Sequence, residues 1–291
     1  MDLLNNREEA TLIWFLVFAA WALSNRNIRA ATRSLLRAFT RRPIITVFVA
    51  AAAYITLELL ALYEANVWRV SLAKVTCLWT FGTAFVAVVN ATKAQEDPAY
   101  LGQILLGSLR YTAVIEFIVG LYPFKLLVEM VLVPLFATLG GLSAVARIKK
   151  EYASLKGTFD SVLAVLGIAL IAWTLYAIVR DYHSFASPDN VRRFLLPPLL
   201  TLAFLPFMYV LALYGAYDAL FLRVDISSKD DRELARYARR KIFAACALSL
   251  GRVNRFAKEN YGALMDFNDK SDILAMVQHS RMHTDTTGRQ R

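Results

Sequence analysis

Residues 111–146 read YTAVIEFIVGLYPFKLLVEMVLVPLFATLGGLSAVA, and the class of fold follows from this stretch. It is almost entirely apolar and is interrupted once, at Pro123. Two long apolar segments that meet at a proline are typical of a membrane hairpin, because proline ends or kinks a helix. The stretch also contains Glu116, Lys125 and Glu129, whose charges are costly in hydrocarbon and therefore indicate a functional role.

The composition of the whole chain also favours a membrane protein. Of 291 residues, 57% are hydrophobic and 19% are charged, whereas a soluble domain has about 25% charged residues. The net charge of +10 would suit nucleic acid, but the basic residues lie between apolar runs. That arrangement is typical of the positive-inside rule, in which cytoplasmic loops are rich in arginine and lysine. We therefore expect the lipid bilayer and its anionic phospholipids as partners, and not nucleic acid.

Several apolar runs are long enough to cross a bilayer, since about 20 helical residues span the hydrocarbon core. They predict an all-α fold, a polytopic integral membrane helical bundle of about seven segments within residues 1–222. Residues 111–133 form either part of a span or a re-entrant hairpin, because the helix between Arg110 and Pro123 would reach only ~18 Å. The predicted segments are residues 10–24, 43–63, 70–90, 101–122, 124–146, 161–179 and 195–222.

A basic amphipathic helix is predicted over residues 26–42. This segment follows Asn25, contains six arginines and has no acidic residue. A spacing of three or four residues places five of the arginines on one face of a helix, opposite Ile28 and Phe39. Such a helix lies in the membrane interface and presents guanidinium groups to lipid phosphates. We call this face the arginine stripe; it consists of Arg26, Arg29, Arg33, Arg37 and Arg41.

Residues 223–291 differ from the rest of the chain because they are soluble in character, with 14 Lys or Arg and 9 Asp or Glu. They predict a small cytoplasmic helical tail whose last residues are disordered. Seven segments would place the N-terminus outside and both strongly basic loops, residues 26–42 and 147–156, inside. The expected location is therefore a bacterial cytoplasmic (inner) membrane, with the tail in the cytoplasm.

An intramembrane charged cluster is the strongest candidate for a functional site; it comprises Glu58, Glu116, Lys125 and Glu129. Glu116 and Glu129 lie at similar distances on either side of Pro123, which would place both carboxylates at a similar depth. Lys125 precedes Glu129 by four residues, so the two would share a helical face and form an ion pair. The cluster is either a cation or proton site in a polar cavity or a buried ion pair that fixes the hairpin.

No sequence pattern predicts an enzyme, a cofactor or a metal site. Dinucleotide, P-loop, C-x-x-C and H-E-x-x-H motifs do not occur. His279 and His283 have the spacing of two ligands on one helical turn, but no third ligand lies near them. Two functional classes stay open. The first is an ion-conducting or gated membrane pathway controlled by the tail, and the second is a non-conducting scaffold whose tail docks a cytoplasmic protein; either class could form a homo-oligomer.

The arginine stripe generates a direct prediction about lipid binding. A fluorescently labelled peptide of residues 25–42 should bind anionic vesicles and dissociate as the salt concentration rises, because each arginine near such a surface contributes ~1 kcal/mol that salt screens. Glutamine in place of the five stripe arginines should remove the binding. Wild-type binding that does not respond to salt would contradict the interpretation.

Overall fold

The structure is a computed structural model that describes residues 5–97, 99–109, 120, 122–180, 187–228, 231–265, 267 and 269–288. It is all-helical, with 89% helix and no strand among the residues described. We number the α-helices in chain order as α1 (Asn6–Ser24), α2 (Arg26–Phe39), α3 (Arg42–Glu64), α4 (Ala73–Trp79), α5 (Phe85–Val89), α6 (Ala91–Glu96), α7 (Ala99–Leu109), α8 (Leu126–Ile148), α9 (Ala153–Arg180), α10 (Pro188–Ser227), α11 (Arg232–Cys246), α12 (Leu250–Glu259) and α13 (Lys270–Gly288).

Three short 3₁₀ helices and one π-helix connect or interrupt these α-helices in the part of the chain described. The π-helix Thr80–Ala84 lies between α4 and α5, so that one continuous helical segment extends from Val70 to Val89. The 3₁₀ helices are Val70–Leu72, Lys150–Tyr152 and Ala263–Met265.

Five helical segments are long and apolar enough to cross a membrane, judged by length and composition. Their outward faces carry large apolar side chains, such as Leu57, Val131 and Val165, which are exposed. A soluble protein rarely exposes apolar surface of this extent, so the fold supports a membrane protein with transmembrane helices. The five segments agree with five of the predicted spans; they are Arg42–Glu64, Val70–Val89, Leu126–Ile148, Ala153–Arg180 and Pro188–Ser227.

The other two predicted segments, residues 10–24 and 101–122, are not among these five. Helix α1 covers the first of them, but charged residues occupy its first turns. Helix α7 covers only the beginning of the second, and residues 110–119 and 121 lie outside the described residues. Seven segments and a re-entrant hairpin over residues 111–133 therefore remain predictions.

The predicted basic amphipathic helix forms as α2, capped by the Asn25 side chain, which accepts a hydrogen bond from the Asn27 amide at 2.9 Å. All five arginines of the stripe are exposed, although Arg41 lies just beyond the last residue of the helix. The apolar face is also exposed, including Leu35. Both faces of α2 are thus available to a membrane surface, as an interfacial helix requires.

The chain divides into two compact units. The first unit comprises Met1–Val49 and Leu109–Leu195, and the second comprises Ala50–Ser108 and Leu196–Arg291. In the first unit, α8 packs against both α1 and α9. The Trp14 indole donates to the Met130 carbonyl at 2.9 Å, and the rings of Phe124 and Trp173 stack 5.1 Å apart.

In the second unit, the tail helices pack around the last turns of α10. One hydrophobic core joins Leu220 of α10 with Ile242 of α11, Phe256 of α12 and Ile273 of α13. All four side chains are at most 1% exposed. Residues on both sides of the predicted boundary at 222 therefore share one core, and α10 continues to Ser227 before the tail turns back.

Two tyrosines of α10 hold the turn between α11 and α12. The Tyr217 hydroxyl donates to the Ala247 carbonyl at 2.6 Å, and the Tyr209 hydroxyl donates to the Leu248 carbonyl at 2.8 Å. The turn requires a positive φ of 46° at Ala247, a conformation that residues other than glycine rarely adopt. These two hydrogen bonds fix the turn against α10.

The burial of the tail core gives a prediction about stability. Phe256→Ala should destabilise the tail by roughly 3–5 kcal/mol, because it leaves a cavity at a fully buried site. Thermal unfolding of the full-length protein in detergent, followed together with proteolysis of the tail, would measure the loss. Leu248→Ala is the matched control, since Leu248 is 69% exposed, and its effect should stay within about 0.5 kcal/mol. Equal losses in the two variants would contradict the description of the core.

Candidate functional site

Glu129 is a buried acid of helix α8, with 1% of its side chain exposed. The Arg7 guanidinium donates through Nε to both carboxylate oxygens at 3.1 Å and through Nη2 to Oε1 at 2.9 Å. The Phe124 amide donates to the same Oε1 at 2.9 Å. Charge-assisted and backbone donors of this kind hold a buried carboxyl group in one fixed position.

The sequence explains why these donors meet. Residues 122–125 are not helical, and α8 begins at Leu126, after the break at Pro123. The amides before a helix have no partner within it, so the Phe124 amide is free to bind the Glu129 side chain one turn later. The Asn6 side chain donates to the Phe124 carbonyl at 2.8 Å and thereby fixes the start of α1 to this turn.

The predicted ion pair between Lys125 and Glu129 is wrong. Lys125 is exposed and immediately precedes α8, with extended backbone angles of φ −58° and ψ 147°. Pairing between residues four apart requires both to be in the helix, and Lys125 lies just outside it. The ion-pair partner of Glu129 is Arg7, and not Lys125 as the spacing predicts. The fourth member of the predicted cluster, Glu116, lies outside the described residues.

Glu58, on α3 in the second unit, has the opposite surroundings. Only 8% of the residue is exposed, and neither carboxyl oxygen has a hydrogen-bond partner among the residues that the structure describes. It lies in an apolar groove of about 310 Å³, lined by Tyr54, Leu57, Glu58, Ala61, Leu62 and Ala203. A buried acid without a partner is unfavourable as an isolated charge, so this carboxyl group is suited to bind a proton or a cation.

Residues 201–207 of α10 hold this groove and the Val70–Val89 segment together within the second unit. Tyr54 lies one helical turn before Glu58 on α3, and its hydroxyl donates to the Ala203 carbonyl at 3.0 Å. The indole of Trp79 donates to the Thr201 hydroxyl at 2.9 Å. Phe204 contacts both rings, with centroid distances of 6.1 Å to Tyr54 and 5.7 Å to Trp79.

The π-helix Thr80–Ala84 begins directly after Trp79. A π-turn inside a helix widens the hydrogen-bond ladder at an energetic cost and occurs frequently at functional sites. Its position next to the α10 contact is consistent with a specialised role for this region. We call Tyr54, Glu58, Trp79, Thr201 and Phe204 the Glu58 region.

Sequence reasoning identified Glu58 and Glu129 as candidates but missed Arg7, Tyr54 and Trp79. An arginine just before an apolar run is a signal for Arg7, since it needs an acidic partner if the helix is buried. Aromatic residues with polar groups inside apolar helices are a signal for Tyr54 and Trp79, because their O–H and N–H groups find partners when buried. Neither signal identifies the residue that forms the ion pair or the hydrogen bond.

The described residues contain no group of three or more His, Cys, Asp or Glu that could hold a metal ion. Comparison with protein-family models, with curated proteins and with solved structures yields no match. The site must therefore be interpreted from its own chemistry. The fold and site define a helical membrane protein with a folded helical tail and two contrasting buried acids.

The pairing of Glu129 with Arg7 predicts a large cost for breaking it. Arg7→Met should destabilise the first unit by about 3 kcal/mol, because it leaves a buried carboxylate unpaired. The double variant Arg7→Met/Glu129→Gln should recover most of the loss, since it removes both charges. Thermal unfolding in detergent measures all the variants.

Lys125→Met is the control for this series. It removes an exposed lysine and should change stability by no more than about 0.5 kcal/mol. A greater loss for Lys125→Met than for Arg7→Met would show that the lysine, and not the arginine, pairs with Glu129.

Proposed function

We propose that the protein provides a gated pathway for protons or small cations across the membrane, with Glu58 as the group that binds the ion. The observation that supports the proposal is the buried carboxyl group of Glu58, which has no hydrogen-bond partner in the described structure. Ionisable residues within membrane helices are costly and mark ion pathways and proton relays. Glu58 lies well inside α3, a 23-residue apolar helix.

The contrast with Glu129 supports this choice of residue. A conducting site must bind its ion strongly enough for entry and weakly enough for release. Glu129 accepts four hydrogen bonds, three of them from Arg7, and has little capacity left for a mobile ion. Neither carboxyl oxygen of Glu58 accepts a hydrogen bond from the described residues. We therefore assign Glu129 to stability and Glu58 to ion binding.

Control by the tail is part of the proposal, and α10 supplies its physical basis. This single 40-residue helix contacts Tyr54 and Trp79 through residues 201–207 and joins the tail core from Ala212 onward. Coupling between two sites can be carried by a helix whose position both sites affect. A displacement of the tail would be transmitted along α10 to the groove around Glu58.

The proposed location is a bacterial cytoplasmic membrane with the N-terminus outside and the tail in the cytoplasm. The exposed arginine stripe of α2 and the basic loop at residues 147–156 support that orientation through the positive-inside rule. The stripe would bind anionic phospholipid at the inner surface. A homo-oligomer is compatible with this arrangement, because membrane pathways are commonly built from several subunits.

A non-conducting scaffold is the second candidate, and the folded tail favours it. The tail helices form a complete hydrophobic core with α10 and have exposed charged faces, as a domain that docks a cytoplasmic protein would have. Ion conductance separates the two candidates, since a scaffold requires none.

Glu58→Gln tests the proposal in proteoliposomes. The substitution keeps the size of the side chain but removes its ability to exchange a proton or balance a cation. We expect the flux of protons or of tracer Na⁺ or K⁺ to fall by about tenfold or more, the order of effect for an essential proton-transfer group. Thermal stability should be unchanged or higher, because the variant no longer buries an unpaired acid.

Glu64→Gln is the matched control, since Glu64 is exposed at the end of the same helix. Its flux should equal that of the wild type. Wild-type flux no greater than that of empty liposomes would favour the scaffold. Equal flux in the wild type and the Glu58→Gln variant would remove Glu58 from the pathway.

A further inference from the structure

A basic pocket lies in the tail, beside the last turn of α10 and distinct from the groove around Glu58. Its volume is about 290 Å³, roughly ten times the ~30 Å³ that one water occupies in the liquid. It is large enough for a phosphate group together with part of the molecule to which the phosphate is attached. The lining residues that the structure describes are Asp225, Ser228, Arg232, Ala235, Arg236 and Arg239.

The three arginines share one face of α11. Arg232, Arg236 and Arg239 are separated by four and three residues, so their side chains emerge from the same side of the helix. Arg232 and Arg236 are exposed, and among the described residues neither takes part in an ion pair. Like charges at this spacing repel each other, and an anion between them would remove the repulsion.

Arg239 is held in place at the inner side of the pocket. Its guanidinium donates to the Asp225 carboxylate and lies over the Phe221 ring, 5.5 Å from the centroid. The hydrogen bond to Asp225 raises the pKa of Arg239 above its ordinary value, so this group keeps its positive charge. Its Nε is buried and has no hydrogen-bond partner in the described structure.

The net charge of the lining favours an anion. Three arginines and one aspartate give a formal charge of +2, from three positive and one negative group. A guanidinium group presents several N–H donors in a planar fork that matches the oxygens of a phosphate. Two exposed arginines that form no ion pair with the described residues, next to a third that is held by Asp225, form the kind of cluster that recognises phosphate.

We propose that this pocket is a binding site for a phosphate group, from either an anionic phospholipid headgroup or a soluble phosphate compound. The site does not depend on ion conduction through Glu58, and its test is separate. Arg232 and Arg236 make the principal contacts, and Arg239 with Asp225 sets the floor of the pocket.

The test uses the full-length protein in neutral detergent and measures the rise in Tm on ligand addition, since a ligand that binds the folded state stabilises it. One arm adds phosphatidylglycerol to the micelles, with phosphatidylcholine as the zwitterionic comparison. The other arm adds inorganic phosphate, with chloride at equal ionic strength as the comparison. A shift in the lipid arm alone identifies a headgroup site, and a shift in the phosphate arm alone identifies a soluble ligand.

The double variant Arg232→Gln/Arg236→Gln should weaken binding in the responding arm by about tenfold or more, because two charge-assisted hydrogen-bond donors are lost. The control Arg255→Gln/Lys258→Gln removes the same charge from exposed positions of α12 and should bind as the wild type does. Any lipid bound by the arginine stripe of α2 is common to all variants and cancels in the comparison. Absence of a response in both arms, or equal weakening in the two double variants, would overturn the proposal.

Discussion

Hydrocarbon cannot form hydrogen bonds, and so every backbone N–H and C=O within a membrane segment needs a partner inside the protein. This constraint explains the all-helical fold, and it is most demanding in α10, which contains Pro197, Pro198 and Pro206. Each proline lacks an N–H and leaves the carbonyl four residues earlier without its helical donor. Around these interruptions, Thr201 donates to the Pro197 carbonyl at 2.8 Å and Tyr54 donates to the Ala203 carbonyl. These side-chain hydrogen bonds lie close to the prolines, and α10 makes further contacts with the tail core from Ala212 onward.

The same constraint separates the two buried acids. Removing a carboxylate from water costs several kcal/mol, and good geometry with a charged partner repays most of it. Glu129 has such a partner in Arg7, together with the Phe124 amide, and the result is a fixed connection between the start of α1 and the start of α8. Among the described residues Glu58 has no comparable partner, and burial of its charged form would lower stability. Proteins retain a destabilising buried group of this kind where function requires it.

The helices were predictable from sequence because lipid imposes length and composition, and these are local properties. The apolar runs at residues 43–63 and 70–90 correspond closely to observed helical segments, and the run at 161–179 lies within the longer helix Ala153–Arg180. The arginine spacing predicts α2. The partners of the charged side chains were not predictable in the same way. Arg7 and Glu129 are 122 positions apart, and the rule for residues four apart favoured Lys125 only because it was near in sequence.

Tertiary contacts also set features that periodicity does not describe. The hydrogen bond from Tyr54 to Ala203 joins residues 149 positions apart, and the π-helix after Trp79 has no simple sequence signature apart from the flexibility that Gly82 allows. The predicted boundary at 222 follows the change from apolar to charged composition. The helix itself continues past that point, because Val224 is needed by the tail core and is fully buried in it.

The arrangement of α10 limits how the tail can act on the membrane part of the second unit. After Pro206, the helix is held by the tail core and by the hydrogen bonds of Tyr209 and Tyr217 to the turn between α11 and α12. Before Pro206, the helix is held by contacts with Tyr54 and Trp79. Proline is where helices bend most readily, but Phe207, which follows Pro206, also contacts the Tyr54 ring at a centroid distance of 5.3 Å, so the contacts with Tyr54 extend to both sides of the proline. Under the proposed control by the tail, a rearrangement of the tail would shift α10 and alter its fit against Tyr54, one helical turn from Glu58.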